Sequence, residues 1–153
     1  MIYGKLRTPK NIRFNDLINF INIKYSTNIS ESLLDSSHFS KNSWFTGFTE
    51  ADGHFGIKYI ESKAKSDTRK RSVSESVTLK FRLDQRLFDK STSSSMIMES
   101  LALFLSCNLK SYTNNTDSEI LSVSVSSIGS VKFIIGYFNK YPLIGEKLHD
   151  FKK

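Results

Sequence analysis

The chain has 153 residues, 39% hydrophobic and 24% charged, which is enough apolar material for one core and too little length for two full domains. No run of about 18 apolar residues occurs, which excludes a membrane-spanning helix, and a single cysteine, Cys107, excludes an intrachain disulfide framework and a cysteine-rich zinc site. Lys and Arg number 22 against 15 Asp and Glu, a net charge of +7, and this excess favours a polyanionic partner, nucleic acid before a membrane surface.

Residues 1–10 are basic and include Pro9. They lack the apolar core of a signal peptide, and residues 11–26 lack the Arg-rich, acid-free character of a transit peptide. Between 14 and 25, apolar residues fall at Phe14, Leu17, Ile18, Ile21 and Tyr25, a spacing that predicts one amphipathic helix. Residues 26–41, rich in Ser, Asn and Asp, read as a connector. A second helix is expected from Ser43, whose hydroxyl can cap the first turn. Trp44, Phe45 and Phe48 supply its apolar bulk, and Gly53 is expected to end it in the left-handed conformation.

Strand patterns follow. Phe55, Ile57 and Tyr59 alternate with His54, Gly56 and Lys58, and residues 62–71 form a polar, basic loop. Val77, Leu79, Phe81 and Leu83 make the apolar side of a second strand whose other side carries Thr78, Lys80, Arg82 and Asp84. Residues 92–106 read as a helix, 109–113 as a strand, and Asn114-Asn115 as a turn. Leu121, Val123 and Val125 alternate with Ser122, Ser124 and Ser126 in a fourth strand, and 128–141 is helical up to Pro142. Residues 145–153 begin a last helix. From Asn42 onward the order is α-β-β-α-β-β-α, an α+β domain with one-faced strands: helices on one face of the sheet, the other face open. Lys58, Lys80, Arg82 and Lys110 line up on that open face, so it reads either as a docking surface for a polyanion or as an ordinary solvated face.

The stretch from Trp44 to Ile57 holds the chemistry. Gly47 and Ala51 are four apart on one helix face, and two small residues at that spacing let another helix approach closely. Glu50 and Asp52 sit in the last helical turn, where the macrodipole disfavours an anion by roughly 0.3–1 kcal/mol. A divalent cation would compensate them, with the terminal carbonyls such as that of Ala51 as further ligands. Spacing alone leaves open that they are two solvated surface acids.

Phe45-Thr46-Gly47-Phe48-Thr49-Glu50-Ala51-Asp52-Gly53 resembles the motif of the LAGLIDADG homing endonucleases, with the Gly, acid, Ala, Asp and Gly positions matching. Tyr3 to Lys10 resembles the segment joining the two repeats of fungal mitochondrial intron-encoded members, and Lys140 to Lys147 the end of a repeat. The resemblance implies the family's fold, an antiparallel four-stranded saddle with helices on one face and DNA on the other. It divides the chain into an N-terminal linker with a short helix, 1–41, and a repeat domain, 42–153. It implies Mg2+-dependent hydrolysis of double-stranded DNA at intron-insertion sites.

By the same resemblance Asp52 is the catalytic and metal-binding acid, with the Ala51 carbonyl as companion ligand and Glu50 on the family's other acid position. Gln85 falls where some members position the attacking water, and Lys147 where a basic residue stabilises developing charge. Candidate DNA contacts on the strands are Lys58, Thr78, Lys80, Arg82, Ser122 and Ser124; Lys63, Lys65, Arg69, Lys70 and Arg71 in the loop are candidate phosphate contacts. An arginine that some members use soon after the glutamine has no counterpart, since Asp89 lies near its place.

One motif occurs, so the paired site needs a second repeat, from a homodimer or from another domain; the linker-like opening and short last helix favour the C-terminal half of a two-repeat enzyme. A maturase acting on its own intron RNA and a non-cleaving DNA-binding half-domain are the alternatives. The 16 Lys against 6 Arg, with abundant Asn, Ile and Phe, suggest an A/T-rich, organellar gene and hence a mitochondrial protein.

Overall fold

Phe45 has no exposed surface, and its ring meets those of Phe81, Phe104, Tyr137 and Phe138, which come from three different elements. In this computed structural model residues 4–8, 10–65, 68, 71–89 and 92–152 are described. In chain order they form α1 (Lys10–Tyr25), a single 3-10 turn (Phe39–Lys41), α2 (Trp44–Asp52), β1 (Gly53–Ile60), β2 (Ser76–Arg86), the two-residue strands β3 (Phe88–Asp89) and β4 (Thr92–Ser93), α3 (Ser95–Phe104), β5 (Lys110–Thr113), β6 (Glu119–Val125), α4 (Ile128–Lys140) and α5 (Lys147–Lys152).

Four strands form one antiparallel sheet in the order β1-β2-β6-β5. The register sets Phe55 against Phe81, and Leu83 against Val123, so the apolar positions share one face. Against that face lie Phe45 of α2, Met98 and Leu101 of α3, and Phe138 of α4. At roughly 25 cal/mol per Å2 of apolar surface, this aromatic and aliphatic layer is the main stabilising term of the domain. The expected α+β order from Asn42 onward is therefore present, with helices on one face and the other open.

Four local expectations differ from the structure. Ser43 precedes α2 but makes no side-chain cap; the Trp44 N–H donates to Asn42 Oδ1 at 3.0 Å instead, so the neighbouring amide has taken that task. Gly53 ends α2 with extended backbone, φ −75°, not left-handed. Its glycine identity is steric: a Cβ there would lie 2.5 Å from Thr49 Cγ2 and 2.7 Å from the Thr49 carbonyl oxygen. The third helix starts at Ser95, because the Ser94 N–H donates to the Leu87 carbonyl and ties Thr92–Ser93 into a small hairpin with Phe88–Asp89. Finally, the apolar face of the β1–β2 ribbon outruns its cover: Ile57, Tyr59, Val77 and Leu79 are exposed.

The segment before α2 is tied to the domain. Arg7 pairs with Asp35 at 3.0 Å, and its guanidinium lies 4.5 Å from the centre of the Phe39 ring and 5.4 Å from that of Trp44. Burial raises the Asp35 pKa, but hydrogen bonds from Ser37 and Arg7 more than offset it, so the carboxyl sits below its ordinary value.

Candidate active site and nucleic-acid interface

α2 has two faces. Phe45, Thr46 and Thr49 are buried, and Thr46 Oγ1 donates to the Tyr141 carbonyl at 2.8 Å, which pins the helix against the end of α4. Tyr137 reinforces this, its hydroxyl donating to the Asn42 carbonyl at 2.7 Å. On the other side Gly47 and Ala51 are exposed, flanked by half-buried Trp44 and Phe48, whose rings lie 4.8 Å apart. Nothing lies within 4 Å of where a Gly47 Cβ would be. Positions 44, 47, 48 and 51 form one continuous seam of small and aromatic residues, the i, i+3, i+4, i+7 pattern of a helix contact. This seam lines a cleft of about 410 Å3 together with Asp52, Gln85, Lys10 and Arg13.

Asp52 closes the helix at the floor of that cleft. Gln85 lies on β2 in phase with the core residues Phe81 and Leu83, one step beyond the apolar layer. From there its Nε2 donates to Asp52 Oδ2 at 2.7 Å. The two residues that the sequence placed in separate roles thus form one unit. The Ala51 carbonyl lies in the last helical turn, where the helix leaves its carbonyls without an intrahelical partner. A hard cation takes such oxygens. Among the described residues no group of three or more His, Cys, Asp or Glu could hold a metal.

Glu50 is used differently. Its Oε1 accepts from the backbone N–H groups of Ile144 and Gly145 at 2.6 and 2.9 Å. The acid that the sequence grouped with the metal ligands here holds the α4–α5 loop to the end of α2. Lys147 begins α5 two residues after that loop and is half-buried, but it is not among the residues lining the cleft.

The open face of the sheet carries His54, Gly56 and Lys58 of β1, Thr78, Lys80, Arg82 and Asp84 of β2, Ser122 and Ser124 of β6, and Lys110 and Tyr112 of β5. Lys58 and Lys80 are exposed; Thr78, Arg82 and Ser124 are partly so. Ser122 is the exception. Although it faces the open side, it is only 6% exposed and hydrogen-bonds Asp84. Its hydroxyl is spent inside the protein, which corrects the reading of this residue as an outward contact. Lys63, Lys65 and Arg71 are exposed in the β1–β2 connection, where Lys63 and Val73 exchange two backbone hydrogen bonds of 2.8 Å that prolong the ribbon. Arg69 and Lys70 lie outside the described residues.

A small-residue seam on α2 thus ends in an aspartate next to a four-stranded antiparallel sheet with one open face. The LAGLIDADG endonuclease family model matches residues 45–153. The chain belongs to this family. Over a 174-residue alignment covering 99% of this chain, it is 29% identical to the intron-encoded DNA endonuclease aI3 of Saccharomyces cerevisiae. Over 108 residues, 71% of the chain, it is 30% identical to the probable intron-encoded endonuclease 3 of Neurospora crassa. The chain spans 42% and 18% of those two relatives, less than half of either. Among solved structures, the LAGLIDADG homing endonuclease I-LtrWI bound to target DNA matches with a TM-score of 0.54 and 25% identity, over 86% of this chain and 41% of that one. The meganuclease I-SmaMI bound to uncleaveable DNA shares the fold, with a TM-score of 0.55 at 21% identity over 87% of this chain and 41% of that one.

Sequence reasoning missed two features of the site. The Glu50 clasp joins residues about 95 positions apart, so no local pattern announces it. The Arg82–Asp84 pair was legible, since residues i and i+2 of a strand share a face.

Proposed function

We propose that this chain is one half of a DNA endonuclease, hydrolysing phosphodiester bonds of double-stranded DNA once its α2 seam meets the equivalent helix of a second repeat. The observation that carries this reading is the Gln85–Asp52 unit at the end of an exposed small-residue seam. Pairing of two such seams would bring two aspartates together over the same backbone. Mg2+, when bound, would neutralise charge on the scissile phosphate and favour an activated water. Asp52 and the Ala51 carbonyl are the residues that would hold it. Gln85 acts as a positioning residue: its amide N–H fixes the carboxylate, and its Oε1 remains available to accept from a water. Lys147 is proposed to face the developing negative charge. DNA would lie on the open face, with Lys58, Thr78, Lys80, Arg82 and Ser124 toward base edges and Lys63, Lys65 and Arg71 toward phosphates. The intron-encoded relatives support an intron-insertion site as target, and the composition that suggests an A/T-rich organellar gene supports a mitochondrial setting.

The test is cleavage of duplex DNA spanning the insertion junction, with and without Mg2+, by the chain alone and mixed with a preceding repeat. Asp52→Asn should abolish cleavage with an unchanged melting temperature, and Gln85→Ala should reduce it by roughly 10- to 100-fold. Cleavage that survives Asp52→Asn would remove the proposal. Binding of intron RNA that is indifferent to that substitution, without cleavage by the wild type, would favour the maturase instead.

A further inference from the structure

Asp84 sits in the middle of the face that should meet a polyanion. Its carboxylate is gripped there. Arg82 Nε donates to Oδ1 at 2.9 Å, and the Tyr112 hydroxyl donates to Oδ2 at 3.4 Å. The Arg82 guanidinium also lies 5.3 Å from the centre of the Tyr112 ring. Register explains the cluster. Asp84 is opposite Ser122, which is opposite Lys110, and Tyr112 is two residues further along β5. Because Ser122 is small, the Tyr112 ring can cross β6 diagonally to reach both Asp84 and Arg82. Burial raises the Asp84 pKa, but the hydrogen bonds from Arg82 and Ser122 and the charge of Arg82 outweigh it, so the carboxylate stays ionised.

Arg82 Nε is fixed on Asp84 Oδ1, and the Tyr112 side chain engages the same guanidinium. A guanidinium held at Nε and stacked on a ring has lost most of its rotamer freedom and presents its two outer nitrogens as a rigid fork. The fixed negative charge beside it would repel a phosphate, so the fork is unsuited to backbone contact. Base edges carry no such charge. Guanine offers two acceptors, N7 and O6, that match a fork, and a carboxylate beside it can accept from the N4 amine of the paired cytosine.

Resting on the DNA reading above, we propose that Arg82 is a specificity-determining residue reading one guanine in the major groove, with Asp84 and Tyr112 as the positioning residues that aim it. The Arg82–Asp84 unit therefore selects one G·C pair at a fixed place in the half-site, while the lysines around it supply affinity without choice.

The experiment is enrichment of a fully randomised duplex library on the purified chain without Mg2+, comparing wild type with Arg82→Lys, Asp84→Asn and Tyr112→Phe, each verified by its melting curve. The wild type should enrich guanine at one position. Arg82→Lys should lower that preference roughly ten-fold, at that position only, since a lysine cannot form the fork. Asp84→Asn and Tyr112→Phe should broaden the same position while total DNA affinity is kept or, for Asp84→Asn, increased. A uniform loss at all positions would make Arg82 a phosphate contact and overturn the proposal, as would a profile unchanged in Arg82→Lys. Failure of the wild type to retain any duplex would instead strike the DNA reading itself, and this proposal with it.

Discussion

Gly47→Ala separates what the single chain needs from what a pair of helices needs. In the chain, residue 47 is exposed within α2 and a methyl would meet nothing within 4 Å. Alanine there restricts the unfolded chain and favours the helix, a gain of about 0.5–1 kcal/mol. For a chain of 153 residues that corresponds to a rise in melting temperature of about 1–4 °C. Across a close helix pair the sign reverses. A methyl forced into a tight contact costs roughly 1–3 kcal/mol, which weakens association roughly 5- to 150-fold. Thermal melts at low protein concentration read the first effect, and sedimentation equilibrium of wild type and variant over a wide concentration range reads the second. A lower melting temperature for Gly47→Ala would refute the view that this face is unoccupied within the fold. Association equal to that of the wild type, or a wild type that stays monomeric throughout, would refute the seam as a self-pairing surface.

Gly53→Ala should behave in the opposite way: its methyl would collide with the Thr49 carbonyl, so the end of α2 must shift, at about 1–3 kcal/mol in urea denaturation, with cleavage falling because Asp52 moves too. If stability and activity are both unchanged, the steric account of Gly53 fails. Acid should weaken the fold. Asp35 and Asp84 both have folded pKa values below their unfolded ones, so the unfolded state binds protons first as the pH falls. Their contribution is fully present above about pH 5 and lost as the pH drops through the folded values, below the ordinary carboxylate value near 3.8. The urea midpoint should fall between about pH 5 and pH 3, and less steeply in Asp84→Asn; an equal slope in that variant would show that the Arg82–Asp84 pairing adds nothing to stability.

The one-faced strands and the motif helix were legible because each is a local periodicity: residues two apart on a strand, or three and four apart on a helix, share a face whatever surrounds them. Thus the faces of α2 were visible from Phe45, Gly47 and Ala51 alone, and the open face of the sheet from Lys80 and Arg82. The first helix exists, but of its expected apolar face only Ile18 is buried, while Leu17 and Tyr25 are exposed. Gln85 and Asp52 came through resemblance in separate roles, and their hydrogen bond was not legible, since 33 positions separate the two residues and no spacing rule links a strand end to a helix end. Tertiary structure alone decided that Glu50 clasps the α4–α5 loop and that Tyr112 crosses β6 to reach Asp84. In each case a polar atom had several acceptors or donors within reach of its local chain. The choice among them depended on which distant element packing brought within about 3 Å, where hydrogen-bond energy is decided.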